Sequence, residues 1–574
     1  MTQQFSEPLP SPQTRPGQVA SERRHLSATA PSPWNTRLVL MMPLAGYALF
    51  MTKSVAAPPN TTWALLLLLW TITATLAAWR LTRVDGWFLD RLDRHATGIA
   101  AGLIALAAVA FVAVSVWQAR SLAMSVYAED TAYYSQVLWN TLHGNLLSGS
   151  VQQERLYSPP VSSDLALHVA PISLGLLLPA YALFPHFLTL LIIRDVALAA
   201  AAWPLFLLAR ERVGAGAGVA AVVLYLGNAA VLAQGFESFT LLHLAPLPFF
   251  WAFRAFAQGN FRMFLLFTAI TLGVREDVAI PVAGFGVWAL GARPRLRWVA
   301  AGLGIPAVWW AVVTLAIQPV FRGPGKSVFD VLAGGAGGPF GLYGSMLAGP
   351  SWIVESLQAG GAHLLYGLLR SVGFVPVLGL EGLVAVPGVA ATLFAARTLF
   401  GAGDPLSRFA LLPACALVGA AVVITSRLAR RYRGDTRVFA VAMLLLLPSV
   451  GLLDGAKDAV QERLLGYIDG HDAAALSEAV AQVPDGAPVA APIIALPALS
   501  KRPRLFTLQY LDAYPAPRVE YFLLDRRPDR VWRNPARRDR YAALVDELTR
   551  SPDYERVWER GDYLVLRRRG EAAT

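Results

Sequence analysis

The amino-acid sequence predicts a multi-pass α-helical membrane protein that ends in a small soluble α/β domain. Of its 574 residues, 55% are hydrophobic and 15% are charged, and the mean hydropathy is +0.47. Soluble globular proteins carry about 25% charged residues. Uncharged runs such as 62–79 and 98–117 approach the roughly 20 residues that a helix needs to cross the hydrocarbon core, and they lack the alternation typical of barrel strands. After Leu453 the chain becomes charged and rich in proline, which indicates a separate water-soluble region.

About thirteen membrane crossings are predicted from the lengths of the apolar runs and their flanking charges. They divide the chain into a disordered tail (1–36), two N-terminal helices (37–97), a transmembrane core (98–454) and a C-terminal domain (455–574). The predicted crossings begin near Arg37, Thr62, Gly98, Phe187, Val213, Thr240, Phe261, Val278, Arg297, Ala362, Leu383, Arg408 and Val438.

The distribution of arginine predicts how the chain is oriented. Arginines cluster at the ends of apolar runs, so the net charge of +11 is interpreted as an orientation signal and not as a nucleic-acid surface. The arginine-rich loops, of which 427–433 is the most basic, fall on one side together with the N-terminal tail, which is predicted to be the cytoplasm. The C-terminal domain and two long loops, 118–164 and 321–361, are then extracytoplasmic. The predicted location is the plasma (inner) membrane.

One apolar stretch, 165–184, is long enough to be counted as a crossing. Counting it would place Arg210 and Arg212 outside, against the charge rule. We therefore expect a helix that lies on or dips into the outer face, interrupted by Pro171 and Pro179. The alternative is a true crossing that violates the rule.

The C-terminal domain is predicted to alternate between short helices and strands. Its sequence contains no phosphate-binding glycine motif and no metal-ligand spacing. Helices are expected at 473–482, 493–499 and 541–550, strands at 488–491, 505–508 and 519–524, and a hairpin at 554–558 and 563–567.

Two adjacent carboxylates, Glu129 and Asp130, follow a crossing and begin a helix in the first outer loop. Adjacent residues on a helix point in different directions, so one could serve as a general base while the other orients a partner or binds a metal. The alternative is a helix N-terminus whose dipole favours acidic residues.

Asp164 and His168 lie four residues apart, a spacing that suits an ion pair, a proton relay or two metal ligands. Two residues alone do not make a metal site, and the alternative is a capped helix with a histidine whose hydrogen bonds are satisfied. Glu237 and His243 bracket the outer end between two crossings.

The turn at 275–277 contains Arg275, Glu276 and Asp277, where the arginine could clamp a phosphate through its planar fork. The alternative is a charged turn whose members pair with one another. Arg408 begins a crossing at the outer face, against the positive-inside trend.

Arg194 and Asp195 lie within an apolar crossing. Intramembrane charges are functional candidates, and a structural ion pair is the alternative.

Several ordered motifs together resemble the predicted membrane proteins of domain of unknown function 2079. They are Tyr-Tyr-Ser-Gln-Val-Leu-Trp-Asn at 133–140, Leu-Ala-Leu-His-Val-Ala-Pro-Ile at 165–172, Tyr-Ala-Leu-Phe-Pro at 181–185, the stretch 205–212, and Val-Arg-Glu-Asp-Val-Ala at 274–279.

The layout of that family is similar to the GT-C glycosyltransferases, which include protein mannosyltransferases and aminoarabinose transferases. These enzymes take a sugar from a polyprenyl-phosphate carrier at the outer face, and an acidic motif in the first outer loop acts as the base. The resemblance implies this role for Asp130, with Glu129 beside it, and places His168 on a surface helix. The chain departs from the family at 237–241, where Glu-Ser-Phe-Thr-Leu replaces Asp-Phe-His-Pro-Glu and Glu237 alone keeps its character.

The resemblance implies a membrane glycosyltransferase whose partners are membrane lipid, a lipid-linked sugar donor and an acceptor that the sequence does not identify. Arg275 and Arg408 are expected to hold the phosphate. No cofactor is firmly implied, although a divalent metal is compatible with the chemistry, and no metal ligands are assigned. The alternatives are a transporter or flippase of lipid-linked sugars that uses Arg194 and Asp195, and a scaffold whose outer domain binds a partner.

Overall fold

The computed structural model describes most of the transmembrane and C-terminal regions. The described residues are 33–54, 61–83, 87–122, 128–151, 163–292, 296–322, 349–397, 402–432, 434–465, 472–508, 519–528 and 535–569. Most of the predicted tail and most of the loop predicted at 321–361 lie outside these residues, although the first described helix begins at Pro33, within the segment predicted as tail.

Among the described residues, six helices are long and apolar enough to cross a membrane, or seven if one bent pair counts as a single span. The bent pair is Ala215–Leu226 with Ala229–Phe236, which meet at 54°. The six helices are Thr61–Thr82, Leu89–Ser121, Phe187–Val213, Leu296–Phe321, Arg408–Ala429 and Thr436–Leu464. A helical multi-pass membrane protein is thereby confirmed, while the count of thirteen crossings stays a prediction.

Shorter helices account for the difference in number. They include Pro33–Ser54, Pro246–Gln258, Phe261–Leu272, Ala279–Ala292, Ala362–Arg370 and Val386–Ala395. All but the first of these helices have fewer than 18 residues, and the apolar part of the first is Thr36–Met51.

The stretch predicted as a surface helix is broken in two. A short 3₁₀ helix, Asp164–Ala166, is followed by the apolar helix Ser173–Leu183. A helix of that length spans roughly 16 Å at 1.5 Å per residue, about half of the hydrocarbon thickness of ~30 Å. The length agrees with a helix that does not cross the membrane by itself.

Several ion pairs lie at the two ends of the span Arg408–Ala429. At one end, named here the basic end, Arg437 pairs with Asp90 and Asp93, and Arg427 pairs with Glu381. The other end, named here the site end, contains the pairs Asp130–Arg408 and Glu237–Arg463. The span Arg408–Ala429 runs from the site end to the basic end, and Thr436–Leu464 runs back.

The bundle is held together by close helix packing. Phe256 and Trp288 lie with ring centroids 4.6 Å apart within a larger aromatic cluster. A Cβ placed on Gly284 would lie 1.8 Å from the carbonyl oxygen of Val384, so only glycine permits this approach. Small residues at crossings of this kind allow backbones to meet closely, which favours helix association in membranes.

The intramembrane charges Arg194 and Asp195 form a fully buried ion pair. Arg194 Nε donates to Asp195 Oδ1 at 2.8 Å, and the same guanidinium donates to Ser115 Oγ at 2.7 Å and to the backbone carbonyl of Glu237. Ser115 in turn donates to Asp195 Oδ2 at 2.6 Å. Both side chains have 0% exposure, so the structural alternative describes them.

The C-terminal region contains a five-stranded mixed sheet with the order β2-β1-β3-β5-β4. Strand β1 is parallel to both of its neighbours, β2 and β3, while β3–β5 and β5–β4 are antiparallel. The strands are β1 Val489–Ala491, β2 Leu505–Thr507, β3 Tyr521–Asp525, β4 Tyr554–Arg560 and β5 Tyr563–Arg568.

Two helices accompany the sheet, Ala473–Ala481 and Pro535–Arg550. The predicted strands and hairpin are present, and Gly561 adopts a φ of +57° in the hairpin turn. The helix predicted at 493–499 is wrong, because only the 3₁₀ turn Ile493–Ala495 forms there. Pro497 removes a backbone donor within that segment, which opposes an α-helix.

Removing Arg194 should destabilise the bundle, because Asp195 would remain buried without its cation. We expect Arg194→Met to cost about 3–5 kcal/mol and to lower the melting temperature of the detergent-solubilised protein. The double variant Arg194→Met/Asp195→Leu, which leaves no buried charge, should recover most of the loss. Equal melting temperatures for the single and double variants would contradict the buried ion pair.

Candidate active site at one end of the helical bundle

The helix Ala128–Leu142, named here the rim helix, carries the two acidic residues predicted to begin it. Consecutive residues on a helix point about 100° apart, so the two carboxylates face different neighbours. Glu129 accepts a hydrogen bond from Thr507 Oγ1 at 3.4 Å, at the end of β2. Asp130 forms an ion pair with Arg408. The predicted divergence of the two carboxylates is thereby confirmed.

The Asp130–Arg408 pair joins the rim helix to the first turn of a membrane span. The Asp130 side chain is 14% exposed and the Arg408 side chain is 27% exposed. The guanidinium carbon of Arg408 lies 5.4 Å from the ring centroid of Phe409. The two predicted site residues therefore meet, and both remain accessible from outside the bundle.

The side chains of Asp164 and His168 have different partners, although the backbone N–H of His168 donates to the carbonyl of Asp164 at 2.8 Å. The placement of His168 on a surface helix is wrong, because the residue lies in the non-helical segment between Asp164–Ala166 and Ser173–Leu183. Tyr133 donates its hydroxyl hydrogen to Asp164, and His168 Nδ1 lies 3.0 Å from Glu276 Oε1. The second oxygen of Glu276 accepts the backbone N–H of Val169 at 3.1 Å. Burial raises the pKa of Asp164 to about 6, although His168 and the Tyr133 hydroxyl oppose the rise.

The turn at 275–277 is internally paired. Arg275 Nε donates to Asp277 Oδ1 at 2.7 Å, and a second guanidinium nitrogen contacts the other oxygen. Burial acts to raise the pKa of Asp277, but the Arg275 guanidinium outweighs it and lowers the pKa. The structure therefore has the charged turn that sequence analysis offered as the alternative to a phosphate clamp.

Tyr134 contacts both His168 and Arg275. Its ring stacks with the imidazole of His168, with centroids 6.4 Å apart, and meets the Phe239 ring edge-on. Burial raises the pKa of Tyr134, while the neighbouring Arg275 opposes the rise. The tyrosine thus stays a neutral hydrogen-bonding group at ordinary pH.

Two further charged residues, Arg463 and Asp404, complete the site end. Arg463 Nη1 lies 3.1 Å from Glu237 Oε1, and the same guanidinium pairs with Asp404. Neither residue is among the candidates selected from the sequence. The available signal is weak: Arg463 lies ten residues after Leu453, where the last apolar run ends, and Asp404 lies four residues before Arg408.

His243 is fully buried, and both of its ring nitrogens are bound within the protein. Its Nδ1 accepts the backbone N–H of Thr240 at 3.1 Å, so Nε2 carries the hydrogen and donates to Gln234 Oε1 at 2.8 Å. Gln234 Nε2 donates to the carbonyl of Leu406 at 2.8 Å. His243 therefore stabilises the segment that leads to Arg408.

The acidic and histidine side chains do not assemble into a metal site within the part of the chain that the structure describes. No three His, Cys, Asp or Glu residues lie together there in a group that could hold an ion.

The chain belongs to the family described as predicted membrane protein DUF2079, whose model matches residues 120–565. The match covers more than half of the sequence, and it confirms the family named from the motifs. A comparison with functionally curated proteins finds none that matches.

Two solved structures are similar to the chain at low identity. One is the crystal structure of ArnT from Cupriavidus metallidurans bound to undecaprenyl phosphate, with 14% identity, a TM-score of 0.39, and coverage of 80% of this chain and 97% of that chain. The other is the apo crystal structure of the oligosaccharyltransferase from Archaeoglobus fulgidus, with 13% identity, a TM-score of 0.29, and coverage of 74% and 69%.

The buried carboxyl of Asp164 predicts a pH-dependent stability. Its pKa rises from 3.8 to about 6 on folding, so between these values the folded protein holds a proton that the unfolded chain has lost. Wild-type stability should therefore fall as pH rises through this window, by about 3 kcal/mol at most. Asp164→Asn removes the titration, so its melting temperature should rise relative to wild type between pH 4 and pH 7.

The matched control for this effect is Asp546→Asn, because the Asp546 side chain is 68% exposed. Its melting temperature should track wild type across the same range. A constant difference between Asp164→Asn and wild type would contradict the raised pKa.

Proposed function

We propose that the protein is a membrane glycosyltransferase that moves a sugar from a polyprenyl-phosphate donor to an acceptor at the site end. The Asp130–Arg408 ion pair is the observation that carries this proposal. It brings a carboxylate that can accept a proton and a guanidinium that can bind phosphate to one accessible position. The family layout named from the sequence supports the same assignment.

The proposed reaction uses the two partners in turn. Asp130 removes the proton from an acceptor hydroxyl or amine as the acceptor atom attacks the anomeric carbon of the sugar. The bond from that carbon to the phosphate oxygen breaks, and the polyprenyl phosphate leaves with the bonding electrons. Arg408 stabilises the negative charge that develops on the departing phosphate. Stabilising charge that develops in the transition state is usually the largest contribution to the acceleration of group transfer.

Arg408 fits the phosphate role better than Arg275 does. The Arg408 side chain is 27% exposed, whereas that of Arg275 is 8% exposed and is bound by Asp277 on two nitrogens. An ion pair with an arginine also favours the ionised form of a carboxylate, which a base requires. We assign Arg275, His168 and Glu276 to the wall of the site, where they would contact the donor.

The proposed orientation places the basic end in the cytoplasm and the site end outside. The arginine pairs at the basic end support it through the positive-inside rule. The donor would enter from the lipid with its phosphate at the site end, and the C-terminal sheet would lie on the same side. The thirteen crossings proposed from the sequence, which end the chain outside, agree with this arrangement.

The geometry does not favour the transporter alternative. That function would require Arg194 and Asp195 to line a path through the membrane, but both are 0% exposed and are saturated by hydrogen bonds. No contact of the described residues favours the scaffold alternative over catalysis.

Replacing the proposed base should abolish transfer. We expect Asp130→Asn to slow product formation by about 10²–10⁴-fold, which would reduce product to the level of a deletion strain. The measurement is mass spectrometry of cell-envelope glycans and glycolipids from that strain complemented with each variant at matched expression. Wild-type product levels in the Asp130→Asn strain would contradict the proposal.

Asp90→Asn is the matched control for this variant, because Asp90 also pairs with an arginine but at the basic end. It should leave the product unchanged. If Asp90→Asn and Asp130→Asn lowered the product equally, the loss would reflect a general structural effect.

Replacing the proposed phosphate ligand should slow transfer without removing the base. We expect Arg408→Gln to lower the rate by about 10²–10³-fold. Arg427→Gln is the control, since Arg427 lies near the other end of the same span and pairs with Glu381. Equal rates for the two variants in the same complementation assay would argue against a role for Arg408.

A further inference from the structure

A continuous row of buried polar contacts joins the rim helix to the C-terminal sheet. Gln136 lies at its centre with 0% exposure. Its Nε2 donates to Ser150 Oγ at 3.0 Å and to the backbone carbonyls of Arg502 and Pro503, both at 3.2 Å. Its Oε1 accepts the backbone N–H of Ser150 at 2.8 Å. The Gln136 side chain thereby connects the rim helix to the following loop and to the segment that leads to β2.

Ser150 continues this connection onto the sheet. Its hydroxyl donates to the carbonyl of Leu505 at 2.8 Å and accepts the N–H of the same residue at 2.8 Å. Leu505 begins β2, which lies at one edge of the sheet. A sheet edge normally leaves such groups unpaired, so the loop holds this strand in a defined register.

Two other contacts extend the row along the rim helix. Ser135 Oγ lies 2.7 Å from Ser500 Oγ, and Glu129 accepts from Thr507 at 3.4 Å. All four side chains are buried. The sheet therefore holds the helix at its first turn and again about two turns later.

Asp130 lies between these two attachments, on a neighbouring face of the helix. Any tilt or rotation of the helix on the sheet would move its carboxylate relative to Arg408. Buried polar groups tolerate few alternative arrangements, because each lost partner leaves an unsatisfied donor or acceptor. The row of contacts thus restricts the position of the proposed base.

We propose that the C-terminal sheet holds the rim helix in its catalytic position, and that Gln136 is the positioning residue of this interface. The inference rests on the proposed function, because it deepens the role of Asp130. It assigns a purpose to the C-terminal sheet that does not depend on the sheet touching either substrate.

The first test compares two variants in the envelope-product assay. Gln136→Leu keeps the side-chain volume but removes every hydrogen bond of the amide. We expect it to reduce product by about 10²-fold, the effect of misplacing a catalytic group by about 1 Å. Ser150→Ala removes the hydroxyl contacts to Leu505 and to Gln136 Nε2 but keeps the other hydrogen bonds of the Gln136 amide, so it should cause a smaller loss in the same direction.

A covalent tether tests whether position is the cause. Ser135→Cys/Ser500→Cys should form a disulfide, since their hydroxyl oxygens already lie within 2.7 Å. The chain has a single native cysteine, Cys415, which is buried, so the new bond can be identified by mass spectrometry of the linked peptides. In the Gln136→Leu background, oxidation should restore product and reduction should remove it again.

The outcomes separate this inference from the proposed function. If Asp130→Asn retains product, the proposed function fails whatever Gln136→Leu does. If Asp130→Asn loses product while Gln136→Leu keeps it at wild-type expression, the positioning role is overturned and the glycosyltransferase stands. A disulfide that forms in the Gln136→Leu background without restoring product would also overturn the positioning role.

Discussion

The ion pair between Asp130 and Arg408 is the interaction on which the site end depends. It is the point where the rim helix meets a membrane span, and both partners come from segments with separate anchors. The C-terminal sheet holds the rim helix through Gln136, and the segment before Arg408 is bound by Gln234 and Asp404. The backbones on both sides of this ion pair are therefore held by contacts of their own.

The bilayer explains why the charges are arranged as they are. Charged side chains are costly within the hydrocarbon, so they lie at helix ends or form saturated pairs. The Arg194–Asp195 pair meets this requirement because it binds Ser115 and backbone carbonyls, and neither side chain is exposed. The proposed reactive pair is partly exposed and lies at the site end, beside the C-terminal sheet.

Several charged residues at the site end could be selected from the sequence, but their contacts could not. Asp130 and Arg408 were selected separately, the first by its place in an outer loop and the second by breaking the positive-inside trend. Their pairing joins residues 278 positions apart (408 − 130), which no local pattern encodes. Arg463 and Asp404 were missed for the same reason, since a charge at a helix end is ordinary until its partner is known.

Secondary structure could also be predicted where local sequence determines it, and not where long-range contacts do. Long apolar runs and the alternating strands of the C-terminal region were predictable because hydrophobic period determines them. The segment 493–499 is apolar enough for a helix, but it contains Pro497 and packs against the rim helix, and only one 3₁₀ turn forms. The helices Phe261–Leu272 and Ala279–Ala292 have 12 and 14 residues, fewer than the roughly 20 of a full span, and the charged turn at 275–277 lies between them.

The most direct test of the central claim is photocrosslinking with a polyprenyl phosphate that carries a photoreactive group near its phosphate. The purified protein would be irradiated in lipid nanodiscs, and the labelled peptides would be identified by mass spectrometry. The account predicts label on the described segment 402–410 and on the rim helix, lost when unlabelled polyprenyl phosphate is added in excess. Label confined to the basic end, or label that the competitor does not displace, would contradict the account.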